Sequence, residues 1–385
     1  PLTPSALWSG EVTRLARAVK KHTGYEISVV SEVTEGKKYV KIDNTTEKAE
    51  ISADSDNNLT VSGTDSDIYA YLTCMTENVT DGNTDLAAAV PTADYSEYEL
   101  VWNDEFNGNA LDSSVWGNFS GNPQKRWSVF QLGNTAGLTE ETDGKVLQPD
   151  AEGVVVKDGV ADISVECSDT VNYRDATYTN RQPVTEGRLY YRYGLYEIRA
   201  KLPKFPVGVA LWSTGSGLEI DLAEGRQYAG ADGYYFSANV HIPAPSGNGR
   251  RVAHSYSKYS SRTFRTNEDL TEGFHNYSVL WTPDILEFAV DGEVFWTLDL
   301  HEFDVCNTML DATQMLLLGA SYCSTANGGG YLCDAKTIDN FVKGGGTLPQ
   351  KTSLVVDYVR LYQSRNYGTD NKNQNVKGNN YFKIG

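Results

Sequence analysis

From Tyr98 to Tyr362 the chain is a succession of short β-prone runs, each closed off by Gly, Pro, Asn or Asp. The runs are Gly153–Val156, Val160–Val165, Leu195–Lys201, Leu218–Leu222, Phe236–His241, Tyr277–Trp281, Leu286–Val290, Met315–Leu318 and Leu354–Arg360. Each such strand can bury its apolar face only against another layer, so many of them in one stretch predict a mainly β fold, a large two-sheet sandwich with little helix.

The segments on either side read differently. Leu7, Val12, Leu15, Ala16 and Val19 recur at helical spacing with basic residues between them, which predicts an amphipathic helix over Ser5–Lys21, stopped by His22-Thr-Gly24. Alternating runs at Glu26–Val30, Tyr39–Ile42 and Leu59–Ser62 and a second helix over Ile68–Met75 make residues 1–90 a small α+β accessory domain. Residues 91–97, opening on Pro91, read as a linker, residues 98–363 as the sandwich, and the Asn/Lys/Gly-rich residues 364–385 as a polar tail without fixed structure.

Within the sandwich, Glu219-Ile-Asp221-Leu-Ala-Glu224 sets three acids on an otherwise apolar strand. Strict alternation puts Glu219 and Asp221 on one face and Glu224 on the other. A β-bulge at about Leu222-Ala223 would bring Glu224 back to the first face. Carboxyl groups packed this closely push at least one pKa upward, which keeps a carboxyl protonated near neutrality and able to act as an acid. Two carboxyl groups flanking a glycosidic bond, about 5–5.5 Å apart, are what retaining hydrolysis requires. Acids alternating on a solvent-facing strand of an acidic chain give the same pattern. The apolar run Leu218–Leu222 and the nearby Trp212, whose ring suits the C–H face of a sugar, favour a site.

Composition narrows the partners. A net charge of −18 argues against nucleic acid, which is held chiefly by Lys and Arg. The 24 Tyr, 7 Trp and 12 Phe supply rings for a core or for sugar stacking alike. No run of about 18 apolar residues is present, so no membrane span is expected. The chain starts at Pro1 without Met or a signal-type segment, which fits processing or trimming; a secreted or cell-surface location and a monomer are the expectation. The five cysteines, Cys74, Cys167, Cys306, Cys323 and Cys333, lack metal-ligand spacing, and their odd number leaves at least one unpaired within the chain. Cys323 and Cys333, which bracket a Gly-rich loop, could form a disulfide or stay as buried thiols.

These residues resemble glycoside hydrolase family sixteen, the laminarinase, licheninase and agarase type. Glu219–Glu224 is similar to its active-site signature in the bulged form. Leu100-Val-Trp-Asn-Asp-Glu-Phe-Asn-Gly108 with Leu111-Asp112 and Trp116, then Tyr193–Pro203, Phe274–Asp284, the Val290-Asp-Gly292 turn and Val355–Tyr362 agree in the same order along the chain. The resemblance implies a concanavalin-like β-jelly-roll with a polysaccharide cleft. It implies Glu219 as nucleophile, Glu224 as acid/base and Asp221 as the carboxylate that tunes them. It further implies His241 close to the acid/base, Trp212 as the floor of the sugar subsite beside the cut, and Trp127 as a further cleft residue. Trp102 and Trp281 are left to the core. Asp357 matches an aspartate that in many members helps hold a structural calcium; no other cofactor is implied.

The implied function is a retaining endo-glycosidase acting on a polysaccharide, with β-1,3- or mixed-linked β-glucan first. An endo-β-galactanase of the agar, porphyran or host-glycan type, a transglycosylase and a non-catalytic carbohydrate-binding jelly-roll are the alternatives. Only Ser213-Thr-Gly-Ser-Gly-Leu218 separates Trp212 from Glu219, shorter than in many laminarin-cleaving members, and Ala223 stands where a larger apolar residue is frequent. Residues 1–90 resemble, in pattern, the small α+β domain that precedes the catalytic domains of some hexosaminidase and glucuronidase families.

Overall fold

A computed structural model describes residues 9–28, 30, 36–46, 48–63, 65–80, 82–88, 98–118, 129–131, 151, 153–173, 176–179, 181–204, 206–215, 218–225, 234–243, 256–300, 313–321, 338, 341–364 and 381–384. Compactness divides the chain into residues 1–105 with 362–366, and residues 106–361 with 367–385.

The first unit runs α1 (Ser9–Thr23), β1 (Val40–Asp43), β2 (Glu50–Ala53), β3 (Leu59–Ser62), α2 (Asp65–Thr80), a 3-10 turn (Leu86–Ala88) and β4 (Tyr98–Asp104). α1 stops where the sequence predicts: the Gly24 amide donates to Lys20 O at 3.0 Å and Gly24 takes φ +78°, a left-handed cap that suits glycine. Lys20, Lys21 and His22 in the last turn complement the helix dipole. β3 is central, parallel to β1 and antiparallel to β2. Leu15, Val19, Val61, Ile68, Leu72 and Met75 are buried. Of the expected runs, residues 26–28 form no strand, and β2, half-exposed and only four residues long, escaped the sequence pattern.

The second unit continues with β5 (Val129–Gln131), β6 (Val155–Lys157), β7 (Val160–Glu166), β8 (Thr177–Thr179), β9 (Leu189–Arg192), β10 (Gly194–Lys201), β11 (Gly208–Gly215), β12 (Glu219–Gly225) and β13 (Tyr234–Pro243). There follow β14 (Tyr256–Thr266), β15 (His275–Trp281), β16 (Ile285–Val290), β17 (Glu293–Asp299), β18 (Gln314–Ser321), β19 (Lys351–Ser364) and β20 (Tyr381–Ile384). Two sheets form the sandwich. One runs β17-β16-β15-β10-β19-β7-β6; the other, which carries the acids, runs β14-β13-β12-β11-β18-β9-β20. Each of the nine predicted β runs overlaps one of these strands, Gly153–Val156 only in its last two residues. β20 corrects the reading of residues 364–385 as a tail without structure: Tyr-Phe-Lys-Ile is β-prone despite its polar surroundings, and it pairs antiparallel with β9.

Between the sheets lies an aromatic and aliphatic core. Phe236 on β13 meets Tyr277 on β15 at 5.6 Å between ring centroids and Phe295 on β17 at 6.1 Å, while Phe264 on β14 meets Phe295 at 5.2 Å. Trp281 packs edge-on against Tyr193 at 5.0 Å, and it and Trp102 are buried, as the sequence reading placed them. Truncating a fully buried ring in such a core removes its transfer energy and leaves a cavity, so Phe236→Ala is expected to lower stability by about 3–5 kcal/mol. A chemical-denaturation loss below about 1 kcal/mol would show that Phe236 does not hold the two sheets together.

Candidate active site

The site is built on β12, between β11 and β13. On the β11 side Leu211 faces Ala223 and Trp212 faces Asp221, so Leu222 is the extra residue. On the β13 side Asp221 faces Asn239 and Glu224 faces Ser237, so Leu222 and Ala223 together oppose Ala238. This is the bulge that the acid spacing predicts. Ile220 and Ala223 remain on the core side, fully buried. In an unbulged strand Glu224 would share that side, where an unpaired carboxyl costs several kcal/mol.

Cross-strand register sets out the other face in rows. One row reads Gly319, Ala210, Glu224, Ser237, Thr263; the next Leu317, Trp212, Asp221, Asn239, Ser261; the third Met315, Thr214, Glu219, His241, Tyr259. The smallest side chains of β18 and β11 thus flank Glu224 and the largest flank Asp221. The tip of the β11–β12 hairpin rests on β18: a Cβ at Gly215 would lie 1.6 Å from Thr313 O, so only glycine fits. Gln314 Nε2 donates to Leu218 O at 3.2 Å across the same contact.

Burial gives the acids their chemistry. Glu219 is 6% exposed and Asp221 2%. Burial, and then the charge of Glu219, hold the Asp221 carboxyl well above its usual range, against the pull of an Asn239 hydrogen bond. Glu224 is pushed up to about 9, by burial first and then by the charges of Asp221 and Glu219, with His241 and Asn239 drawing it back. Glu224 is therefore a neutral acid at pH 7, aligned with two further carboxyl groups.

These shifts bear on stability. A carboxyl whose pKa rises on folding holds a proton that the unfolded chain has already released, so stability falls as pH rises between the two values, for Glu224 from about 4.5 to about 9. Glu224→Gln removes that term. The Tm of this variant is expected to exceed that of the wild type by a margin that widens from pH 5 to pH 9; a margin independent of pH would contradict the assignment.

Each residue singled out in the sequence has a place, Trp127 excepted, which lies outside the described residues. His241 Nε2 is hydrogen-bonded to Asp221 Oδ2 at 3.1 Å and lies 3.6 Å from Glu219 Oε1. The resemblance sets this histidine close to the acid/base; the register puts it opposite Glu219, and it also acts on Glu224, drawing that carboxyl's pKa down. Trp212 is half-buried and packs, as Tyr190 does, against the cluster of Val184, Met315 and Leu317, so the same ring serves that cluster and the site face.

Asp357 sits in a different setting, a buried ion pair with Arg199 Nη1 at 2.8 Å. Among the described residues, the clusters that could hold a metal are Glu219, Asp221 and His241, and Glu268, His275 and Asp291; Asp357 belongs to neither. With a guanidinium on one of its oxygens, the donor set at Asp357 does not fit a calcium ion, which wants six to eight oxygens. Cys167 is a buried thiol, while Cys306, Cys323 and Cys333 lie outside the described residues.

Two residues were not anticipated. Asn239 Nδ2 donates to Glu224 Oε2 at 2.6 Å, and Ser261 Oγ donates to Asn239 Oδ1 at 2.8 Å. The alternation Asn239-Val-His241, which mirrors Glu219-Ile-Asp221 on the neighbouring strand, was the available signal.

Residues 154–328, which include the three acids, Trp212, Asn239 and His241, match the sequence model of the glycosyl hydrolases family 16. The chain carries a family 16 glycosyl hydrolase domain. It is 26% identical over 289 residues to the glucan endo-1,3-beta-glucosidase A1 of Niallia circulans, an alignment that covers 69% of this chain and 38% of that protein. It is 25% identical over 225 residues to the Gram-negative bacteria-binding protein 3 of Drosophila melanogaster, covering 51% of this chain and 44% of that one. The chain thus spans less than half the length of either relative. Among solved structures, the catalytic domain of an endo-1,3-beta-glucanase (laminarinase) from Thermotoga petrophila RKU-1 is similar at 24% identity and a TM-score of 0.48, over 70% of this chain and 98% of that one. The relatives therefore include proteins named for hydrolysis and proteins named for binding. No helix among the described residues is long and apolar enough to cross a membrane.

Proposed function

We propose that the family 16 domain, residues 98–363, is a retaining endo-glycosidase that cleaves internal β-glycosidic bonds of a β-1,3- or mixed-linked β-glucan. The observation that carries this reading is the bulged strand: it returns Glu224 to the face of Glu219 and Asp221, and burial there keeps Glu224 protonated near neutrality.

In the first step Glu219 attacks the anomeric carbon while Glu224 passes its proton to the departing glycosidic oxygen. Forming the ester removes the Glu219 charge as Glu224 acquires one, so two anions never sit together there at the cost of mutual repulsion. In the second step Glu224 takes a proton from the attacking water, the ester breaks, and Glu219 regains its charge. The configuration at the anomeric carbon is retained. Asp221 and His241, hydrogen-bonded to each other beside Glu219, take up part of the charge that moves between the two acids. Trp212, half-buried one row from Glu224, is the aromatic ring beside the acids against which a sugar would stack.

The substrate class follows the names of the relatives, glucan endo-1,3-beta-glucosidase A1 and a beta-glucanase of Rhodothermus marinus. Relatives named as binding proteins support a second reading, capture of β-glucan without cleavage. Against it, a binder has no use for three carboxyl groups held together where burial and like charge raise Asp221 and Glu224. A secreted or cell-surface monomer acting on polysaccharide outside the cell fits this reading.

The test is release of reducing ends, with product sizing, from laminarin, mixed-linkage β-glucan, agarose, porphyran, carrageenan and a mucin-type glycan. Oligosaccharides from laminarin or mixed-linkage glucan are expected. Cleavage confined to a galactan would move the substrate class, and binding without cleavage would select the second reading.

A further inference from the structure

We propose that Asn239 positions the acid/base, its carboxamide orienting the Glu224 carboxyl so that the exchanged proton rides on Oε1. The proposal rests on the reading of Glu224 as acid/base.

Asn239 is 2% exposed and stands opposite Asp221 on the central row of the site face. A carboxamide has two N–H donors and one acceptor oxygen. Here Nδ2 donates to Glu224 Oε2 at 2.6 Å and the same amide hydrogen-bonds Asp221, while Oδ1 accepts from Ser261 Oγ at 2.8 Å. Turning the amide over would place its oxygen against two carboxyl groups, so the acids fix which end faces them, and the Ser261 hydroxyl, able to donate or accept, completes the bond at the other end. Because Oε2 of Glu224 is an acceptor in this bond, the proton of the neutral acid belongs on Oε1. The bond also favours the ionised carboxylate that follows proton donation, and so opposes the burial and like charge that raise Glu224. Among the described residues, the titratable groups that act on Glu224 are Glu219 and Asp221 on β12 and His241 on β13; from β11 and β18 its row offers Ala210 and Gly319, which carry no charge. Asn239 is thus the neutral group that sets both the orientation and the proton affinity of this carboxyl.

The experiment compares wild type, Asn239→Ala, Ser261→Ala and Glu224→Gln. Carboxyl-13C NMR of glutamate-labelled protein, with the Glu224 signal assigned by its loss in Glu224→Gln, reads the titration without any substrate. In Asn239→Ala the Glu224 midpoint is expected to rise by about one pH unit, and in Ser261→Ala by less. On laminarin, kcat should fall about 10–100-fold in Asn239→Ala with KM nearly unchanged, and the alkaline limb of kcat/KM should move up with the NMR midpoint. On an aryl β-glycoside whose leaving group departs without a proton, most of the loss should vanish. An unmoved Glu224 midpoint, or an equal loss on both substrates, overturns the proposal. If Asn239→Ala does not fold, the Ser261→Ala midpoint decides in the same direction. Full laminarin turnover by Glu224→Gln would instead remove the acid/base reading, leaving the NMR result to judge the hold of Asn239 on the carboxyl.

Discussion

Glu219→Ala is expected to lower turnover of β-glucan by about four orders of magnitude while the sandwich stays folded. Glu219 contributes the bond-forming atom, and no neighbour can substitute: burial and the charge of Glu219 raise the Asp221 carboxyl and make it a poorer nucleophile, and Glu224 is committed to the leaving group. The variant should be no less stable than the wild type, because the deletion relieves the charge that raises both other acids. Loss of activity with unchanged or increased Tm is therefore the signature of a nucleophile; loss through unfolding is not. Azide added to this variant should enter the space of the missing carboxylate and give an α-glycosyl azide from an activated β-glycoside. Retention of even about a tenth of the activity, well above what a missing nucleophile allows, would remove Glu219 from that role.

The second large effect separates the two catalytic carboxyl groups. Glu224→Ala is expected to reduce hydrolysis of the polysaccharide about 10³–10⁴-fold, somewhat beyond the usual gain from general acid–base catalysis because both steps lose their proton carrier. With an activated aryl β-glycoside the first step needs no proton, so the glycosyl-enzyme should form and accumulate, visible as a burst of released aglycone. Azide then attacks that ester from the face that Glu224 vacated and gives a β-glycosyl azide, the opposite anomer to the product from Glu219→Ala. The alkaline limb of the rate profile, which follows ionisation of the raised Glu224, should disappear with the residue. If both variants gave the same azide anomer, the two roles would have been assigned to the wrong geometry.

Much of this was legible in the sequence, for reasons that show where legibility ends. The central strands are β-branched and aromatic runs between Gly and Pro, and a strand buried on both faces has no other composition available. The bulge could be inferred because three acids cannot share a face of an unbulged strand at that spacing. β14 could not: it pairs with β13 from Tyr256 onward, in a run of Ser, Lys, Thr and Arg that no predicted strand covers. It is an edge strand, and edges carry polar residues that look like loop. Asn239 was missed because its role depends on counting register across the bulge, where Asp221 and Glu224 come to face residues only two apart on β13. The Arg199–Asp357 pair joins residues 158 apart in sequence, so a carboxylate that resembles a calcium ligand by position has a guanidinium instead, and only the folded chain discloses it.

The central claim is that Glu219 and Glu224 cleave a β-glucan by double displacement, and ¹H NMR of laminarin during the first minutes of digestion tests it most directly. The account predicts that the β-anomer of the new reducing end appears first and the α-anomer grows in only as fast as mutarotation allows. The α-anomer appearing first, or laminarin left uncut by a protein that binds it, would contradict the account.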